Sequence, residues 1–145
     1  MLVHQILKSK STDGVVTIES TKSVADAAAM LSEMRIGSLV VSDDQTHALG
    51  ILSERDIVRE LGRRGPGCMA DKVSDLMTAK LVTCSPEASA KEVLSKMTDG
   101  RFRHMPVLDD KGALLGLVTL GDVVKARLSE VSMEKKALEG MIMGF

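Results

Sequence analysis

A chain of 145 residues with a formal net charge of −1, no Trp, no Tyr and two Phe has neither the basic face that nucleic acid demands nor the aromatic platforms on which single strands stack. Its apolar content of 44% suffices for a buried core, in one domain or in two small units that share one. No apolar run nears the roughly 20 residues of a membrane span, and Met1-Leu2-Val3-His4-Gln5 does not open a secretory leader, so a cytoplasmic protein without membrane attachment is expected.

In chain order, residues 1–11 read as a lead-in helix with Val3, Ile6 and Leu7 on one face. Val15 to Ile18 is β-branched and strand-like. Ser23-x-x-Asp26 caps a helix whose apolar face is Val24, Ala27, Ala28, Leu31 and Met34. Ile36 to Val41 is a second strand, apolar throughout after Ser38 and so covered on both faces. Asp43 to Thr46 turns the chain into Leu49 to Leu52, and Asp56 opens a further helix.

Gly62-Arg63-Arg64-Gly65-Pro66-Gly67 reads as a linker, after which the order repeats. A lead-in at Val73 to Met77 precedes a strand at Leu81 to Cys84 and a helix capped by Ser89-x-x-Glu92, with Ala90, Val93, Leu94 and Met97 inward. Arg103 to Leu108 is the matching strand, and Asp109 to Gly112 the hairpin turn. Pro106, lacking an amide hydrogen, is expected at a strand start or an edge. From Val123 to about Gly140 one long helix carries Val124, Leu128, Val131, Leu138 and Ile142 as a stripe, with Lys135 at its one polar position. It should pack on its own module or on a second subunit. Cys68 and Cys84 are expected as free thiols, and His4, His47 and His104 have no metal spacing.

The organising feature is Gly50-Ile51-Leu52-Ser53-Glu54-Arg55-Asp56, which returns 66 positions later as Gly116-Leu117-Val118-Thr119-Leu120-Gly121-Asp122. Each copy is a strand, a turn and a helix start. Ser/Thr three residues before Asp is a capping box. The same helix start offers free amides and a positive dipole end to a phosphate or ribose, and the glycine would let a ligand approach the backbone. Capping alone and capping with ligand contact both remain open. Two such halves should pack about a pseudo-two-fold axis and form two similar clefts. The expected division is repeat 1 over 1–61, linker 62–72, repeat 2 over 73–128 and a helical extension over 129–145.

Ile36-Gly37-Ser38-Leu39-Val40-Val41 leading to the first copy, and Arg103-His104-Met105-Pro106-Val107 leading to the second, resemble a tandem pair of cystathionine-β-synthase (CBS) domains, the Bateman module, in stand-alone form. The resemblance implies an α/β (α+β) fold with β-α-β-β-α in each repeat, a homodimer, and a regulatory rather than catalytic role. It implies binding of AMP, ATP, NAD or S-adenosylmethionine as a regulatory ligand, with no required cofactor and an effector protein still unknown. By the same resemblance, Asp56 and Asp122 take the ribose hydroxyls, with Ser53 and Thr119 nearby. Asp56 would share a cleft with Val82, Thr83, Arg103 and His104, and Asp122 one with Val16, Thr17, Gly37 and Ser38; Leu117 is a further candidate nucleotide contact. Arg55, Arg103 and a protonated His104 would draw the more phosphorylated ligand end to the Asp56 cleft, leaving Asp122 a nucleoside, a monophosphate or nothing. A structural dimerisation scaffold with vestigial clefts is the alternative function.

Overall fold

The computed structural model describes residues 1–10 and 15–142. Ser11, the end of the expected lead-in, and the last three residues of the extension lie outside them. Two sheets organise the fold. In the first, β1 (Thr17–Ile18) runs parallel to β2 (Ser38–Val41), which pairs antiparallel with β3 (Gly50–Ser53). In the second, β4 (His104–Leu108) pairs antiparallel with β5 (Leu114–Thr119). Every residue of β2 is buried, as its apolar run requires.

Two helices repeat the same local logic. In α2 (Val24–Met34), Ser23 Oγ accepts from the Asp26 amide at 3.0 Å, and in α5 (Ala90–Gly100), Ser89 Oγ accepts from Glu92 at 3.1 Å. Both end on an arginine in the left-handed region, Arg35 at φ 54° and Arg101 at φ 57°. Val24, Ala27 and Leu31 are buried under the first sheet, and Ala90, Val93 and Met97 under the second. Met34, expected inward, is 49% exposed, because α2 stops there and turns away from the core.

The lead-in helices cross over. Val3 and Ile6 of α1 (Val3–Ser9) are buried in the core of the second repeat, among Val93, Met105 and Val118. Val73 of α4 (Val73–Leu76) is buried in the core of the first, among Val24, Leu39 and Leu52. Backbone bonds fix both: the Val3 amide donates to Ala88 O at 2.8 Å and the Val73 amide to Lys22 O at 2.8 Å. Full burial of such a side chain is worth roughly 1.5–3 kcal/mol.

This crossing changes the role of the two motif glycines. A Cβ on Gly50 would lie 2.8 Å from Thr78 O and 2.7 Å from Met77 Sδ, and one on Gly116 would lie 2.7 Å from Leu7 Cδ2. What approaches the backbone at these glycines is the crossed lead-in segment, not a ligand.

Leu81 to Cys84, expected as a strand, is irregular apart from one parallel bridge between Cys84 and Val107. In the first repeat the Val40 amide holds Val16 O at 3.2 Å. Its counterpart is Pro106, which has no amide hydrogen to give. Pro106 sits within β4 rather than at its start, and since β4 pairs in its sheet with β5 alone, the proline has the edge position expected for it, on the side that faces residues 82–84.

Gly62, Arg63 and Arg64, expected to open the linker, instead form the last turn of α3 (Glu54–Arg64), where Arg63 and Arg64 pair with Glu60, and a 3₁₀ segment over Pro66–Ala70 follows. The terminal helix α6 (Leu120–Ile142) begins earlier than its apolar stripe suggests. Val123 and Ala126 are buried against the second repeat, while Leu128, Val131, Leu138 and Ile142 are all about half exposed or more.

Candidate functional site

Each motif folds into a strand that ends on its hydroxyl residue and a helix that begins with the next. In the first, the Asp56 amide donates to Ser53 Oγ at 3.2 Å and the Ser53 amide to Asp56 Oδ2 at 3.0 Å. In the second, the Asp122 amide donates to Thr119 Oγ1 at 3.2 Å and the Thr119 amide to Asp122 Oδ2 at 2.9 Å. Both are closed capping boxes. Each corner is also tied to its own repeat, the Glu54 amide donating to Gly37 O at 2.9 Å and the Leu120 amide to Arg103 O at 2.8 Å.

Asp56 stands on the wall of an 880 Å³ cleft between the two repeats. The structure brings Ser53, Arg55, Val82, Arg103 and His104 into that wall with it, while Thr83 is half-buried beside Cys84 and does not line it. Three cations not singled out in the sequence join them: Arg59, Lys80 and Arg101. Arg59 was legible one turn after Asp56, whose Oδ1 it holds in an ion pair. Arg101 and Lys80 carry no motif, and only the meeting of the two repeats places them there. Against five cationic side chains the cleft sets two carboxylates, Glu54 and Asp56. Phe102, one of the chain's two aromatics, lies on the same wall.

His104 enters this cleft as a neutral imidazole at pH 7. Burial pushes its pKa below the ordinary 6.5, and the nearby Arg103 and Lys10 push the same way, against Glu54 and Asp122. The protonated His104 expected to meet phosphates is thus replaced by a neutral hydrogen-bonding group. Its Nε2 faces the backbone of Gly37, where a Cβ would stand 3.5 Å away.

Around Asp122 the arrangement differs. Lys10 Nζ lies 2.9 Å from Asp122 Oδ2 and donates to the carbonyl of Leu117 at 2.8 Å. Burial raises the Asp122 pKa, but Lys10 and the Thr119 amide and hydroxyl together outweigh it and hold the carboxyl below its ordinary range. Ser38 is buried, and its hydroxyl has no hydrogen-bond partner among the described residues. Val16 O is taken by Val40, and Thr17 lines a separate hollow of 390 Å³ with Asp43 and Gln45. The cysteines are free and buried, and burial raises the Cys84 thiol to about 11.

Paired strand-turn-helix corners, each closed by a carboxylate capping box, define a tandem module of two related halves. The chain belongs to the CBS-domain family: the family's model, described as CBS domain, matches residues 5–63 and again 73–129. It is 37% identical over 142 residues to the CBS domain-containing protein CBSX3, mitochondrial, of Arabidopsis thaliana, covering 94% of this chain and 68% of that one. The CBS-domain containing protein ATU1752 from Agrobacterium tumefaciens superposes with a TM-score of 0.82 at 38% identity, over 88% of this chain and 99% of that one. Two further neighbours hold adenosine compounds. CBSX2 in complex with AMP has a TM-score of 0.72 at 26% identity, with 88% and 96% covered. The CBS domain pair of protein MJ0100, with 5′-methylthioadenosine and S-adenosyl-L-methionine, has a TM-score of 0.77 at 25% identity, with 90% and 98% covered. An inosine-5′-monophosphate dehydrogenase of Methanocaldococcus jannaschii matches over 25% of its length, so the likeness carries nothing about its reaction. Among the described residues no helix is long and apolar enough to cross a membrane.

Proposed function

We propose that this chain is a regulatory module that binds an adenosine nucleotide in the Asp56 cleft and passes the event to a protein partner. The observation that carries the reading is the composition of that cleft: an anchored carboxylate at a helix start, ringed by Arg55, Arg59, Lys80, Arg101 and Arg103. An ionised carboxylate suits the ribose diol, since it accepts several hydrogen bonds and donates none. The guanidinium and ammonium groups suit the anionic end, where Arg can bind phosphate bidentately. AMP, ATP, NAD and S-adenosylmethionine are the ligand set, and the excess of cations favours the more phosphorylated members. The AMP and S-adenosylmethionine found in related CBS pairs support the class of ligand.

The working unit in this reading is a homodimer, in which ligand shifts the relation between two modules by binding one arrangement more tightly than the other. The exposed apolar stripe of α6 supports that association and equally supports the second reading, a dimerisation scaffold whose clefts stay empty. Calorimetric titration with the four ligands separates the two. Saturable binding that Asp56→Ala weakens by about 1–3 kcal/mol supports the sensor, and no heat from any ligand leaves the scaffold.

A further inference from the structure

We propose that Lys10 gates the Asp122 carboxylate, holding one of its oxygens until a ligand phosphate draws the ammonium away, so that this corner admits a 5′-phosphorylated nucleoside and rejects the bare nucleoside. The proposal rests on the reading of Asp122 as a ribose partner.

Lys10 is held where the argument needs it. It follows α1 directly, and α1 is pinned to the second repeat by Val3 and Ile6, at 0% and 2% exposure. From there the ammonium reaches two acceptors, Asp122 Oδ2 at 2.9 Å and Leu117 O at 2.8 Å. Asp122 Oδ2 already receives the Thr119 amide at 2.9 Å, so one carboxylate oxygen is fully engaged before any ligand arrives. The Lys10 and Asp122 side chains are 24% and 23% exposed, enough to weaken the pair relative to a buried one without abolishing it.

The repeat makes this placement systematic. Leu2 bridges Ser89 just as Lys72 bridges Ser23, and carrying that correspondence along both lead-in segments sets Lys10 against Lys80. Lys80 lines the Asp56 cleft, yet Asp56 pairs with Arg59 and not with Lys80. Each aspartate corner therefore has a lysine brought toward it by the lead-in segment that crosses over, Lys80 in the Asp56 cleft and Lys10 at Asp122. In the Asp56 cleft that lysine is exposed and has no ion pair among the described residues, and at Asp122 it is docked on the aspartate. The repeat carries one further correspondence, at the cleft-lining His104. Ser38, the counterpart of the cleft-lining His104, is 4% exposed and its Oγ has no partner among the described residues. A buried hydroxyl left unmatched is uncommon and is satisfied by an incoming polar group.

The chemistry then separates two ligands that share a ribose and a base. Among the described residues Asp122 Oδ1 is open, so a diol that spans both carboxylate oxygens must displace the ammonium from Oδ2. A nucleoside gives the displaced ammonium nothing in return, whereas a 5′-phosphate gives it an anionic acceptor and a charge-assisted bond. Discrimination follows from Lys10 as much as from any contact to the base.

The test is calorimetric titration of adenosine and of AMP into the full-length chain carrying Asp56→Ala, which silences the other cleft, with and without Lys10→Met. With Lys10 present, AMP should bind at least about tenfold more tightly than adenosine. Lys10→Met should weaken AMP by about tenfold and strengthen adenosine by about threefold, and Lys10→Arg should keep most of the selectivity. A selectivity ratio unchanged by Lys10→Met, an equal loss for both ligands, or no binding of either ligand to both variants overturns the gate. Asp122→Ala reports separately on the underlying reading: if it removes AMP binding while Lys10→Met leaves selectivity intact, only the gate fails. If it changes no binding at all, the ribose assignment itself has failed.

Discussion

Pro106 leaves the carbonyl of Val82 without the partner that Val40 supplies to Val16. The two pairs are related by the repeat, and the Val40 amide reaches Val16 O at 3.2 Å, but an imino acid has no hydrogen to offer. Val82 consequently lines the Asp56 cleft, 43% exposed, on backbone that belongs to no strand. Replacing Pro106 by Val should extend β4 toward residues 82–84. One added backbone bond is worth about 1 kcal/mol, and amide exchange at Cys84 should slow by about fivefold. Unchanged exchange there would show that the proline is not what keeps the segment irregular.

The two motif glycines should differ in cost when replaced by Ala. At position 50 the new methyl meets the Thr78 carbonyl at 2.8 Å, which backbone pairing with Ile51 holds in place. At position 116 it meets only the branched end of Leu7. Gly50→Ala should cost about 1–3 kcal/mol by overpacking, and Gly116→Ala less, since Leu7 can change rotamer. Urea unfolding midpoints compare them, and an equal or reversed order would contradict the packing account.

His104 should make stability fall on mild acidification. Its pKa is depressed in the folded state, so above the ordinary 6.5 both states are neutral and it has no effect. As pH drops below 6.5 the unfolded chain takes up a proton that the folded one resists, and stability declines until the folded pKa is passed. Asp122, also depressed, adds a second loss as pH falls below 3.8 toward its folded value. His104→Gln should flatten the first decline and leave the second, as read by thermal unfolding between pH 7 and pH 3. A slope near pH 6 that survives this substitution would point to another group.

The apolar stripe of α6 should report on assembly. Leu128 is 66% exposed and Leu138 58%, a cost in water that a second copy would remove. Leu128→Lys combined with Leu138→Lys should halve the mass seen by light scattering, with the far-ultraviolet dichroism retained. A mass that does not change would remove this helix from the interface.

Much of the fold was legible because each repeat states it independently. Ser23 and Ser89 announce their helices by hydroxyl and spacing, β2 by its unbroken apolar run, and the Asp56 and Asp122 capping boxes by the three-residue interval. The wall of one cleft was legible in the same way: Asp56, Ser53, Arg55, Val82, Arg103 and His104 share it, while Thr83, expected with them, does not. What remained hidden depends on which surfaces meet. Nothing local says that Val3 packs with Met105 rather than with Leu39, because an apolar face specifies burial and not its partner. Lys10 and Lys80 are ordinary surface residues until that crossing sets them beside the aspartates, and Arg101, at the end of α5, until the two repeats meet. The His104 charge was misjudged for the same reason, since desolvation is a property of the assembled cleft and not of the residue.

The crossing of the lead-in helices also determines how the molecule can be taken apart. A nick between Gly65 and Gly67, past the end of α3, would yield two pieces, the first carrying the helix that seals the second core and the second carrying the helix that seals the first. Neither piece holds a complete interior, so each is an obligate complement of the other, and the pair should rejoin as a heterodimer held without a covalent link. The linker is then dispensable for holding the clefts together, and the two halves act as mutual clasps.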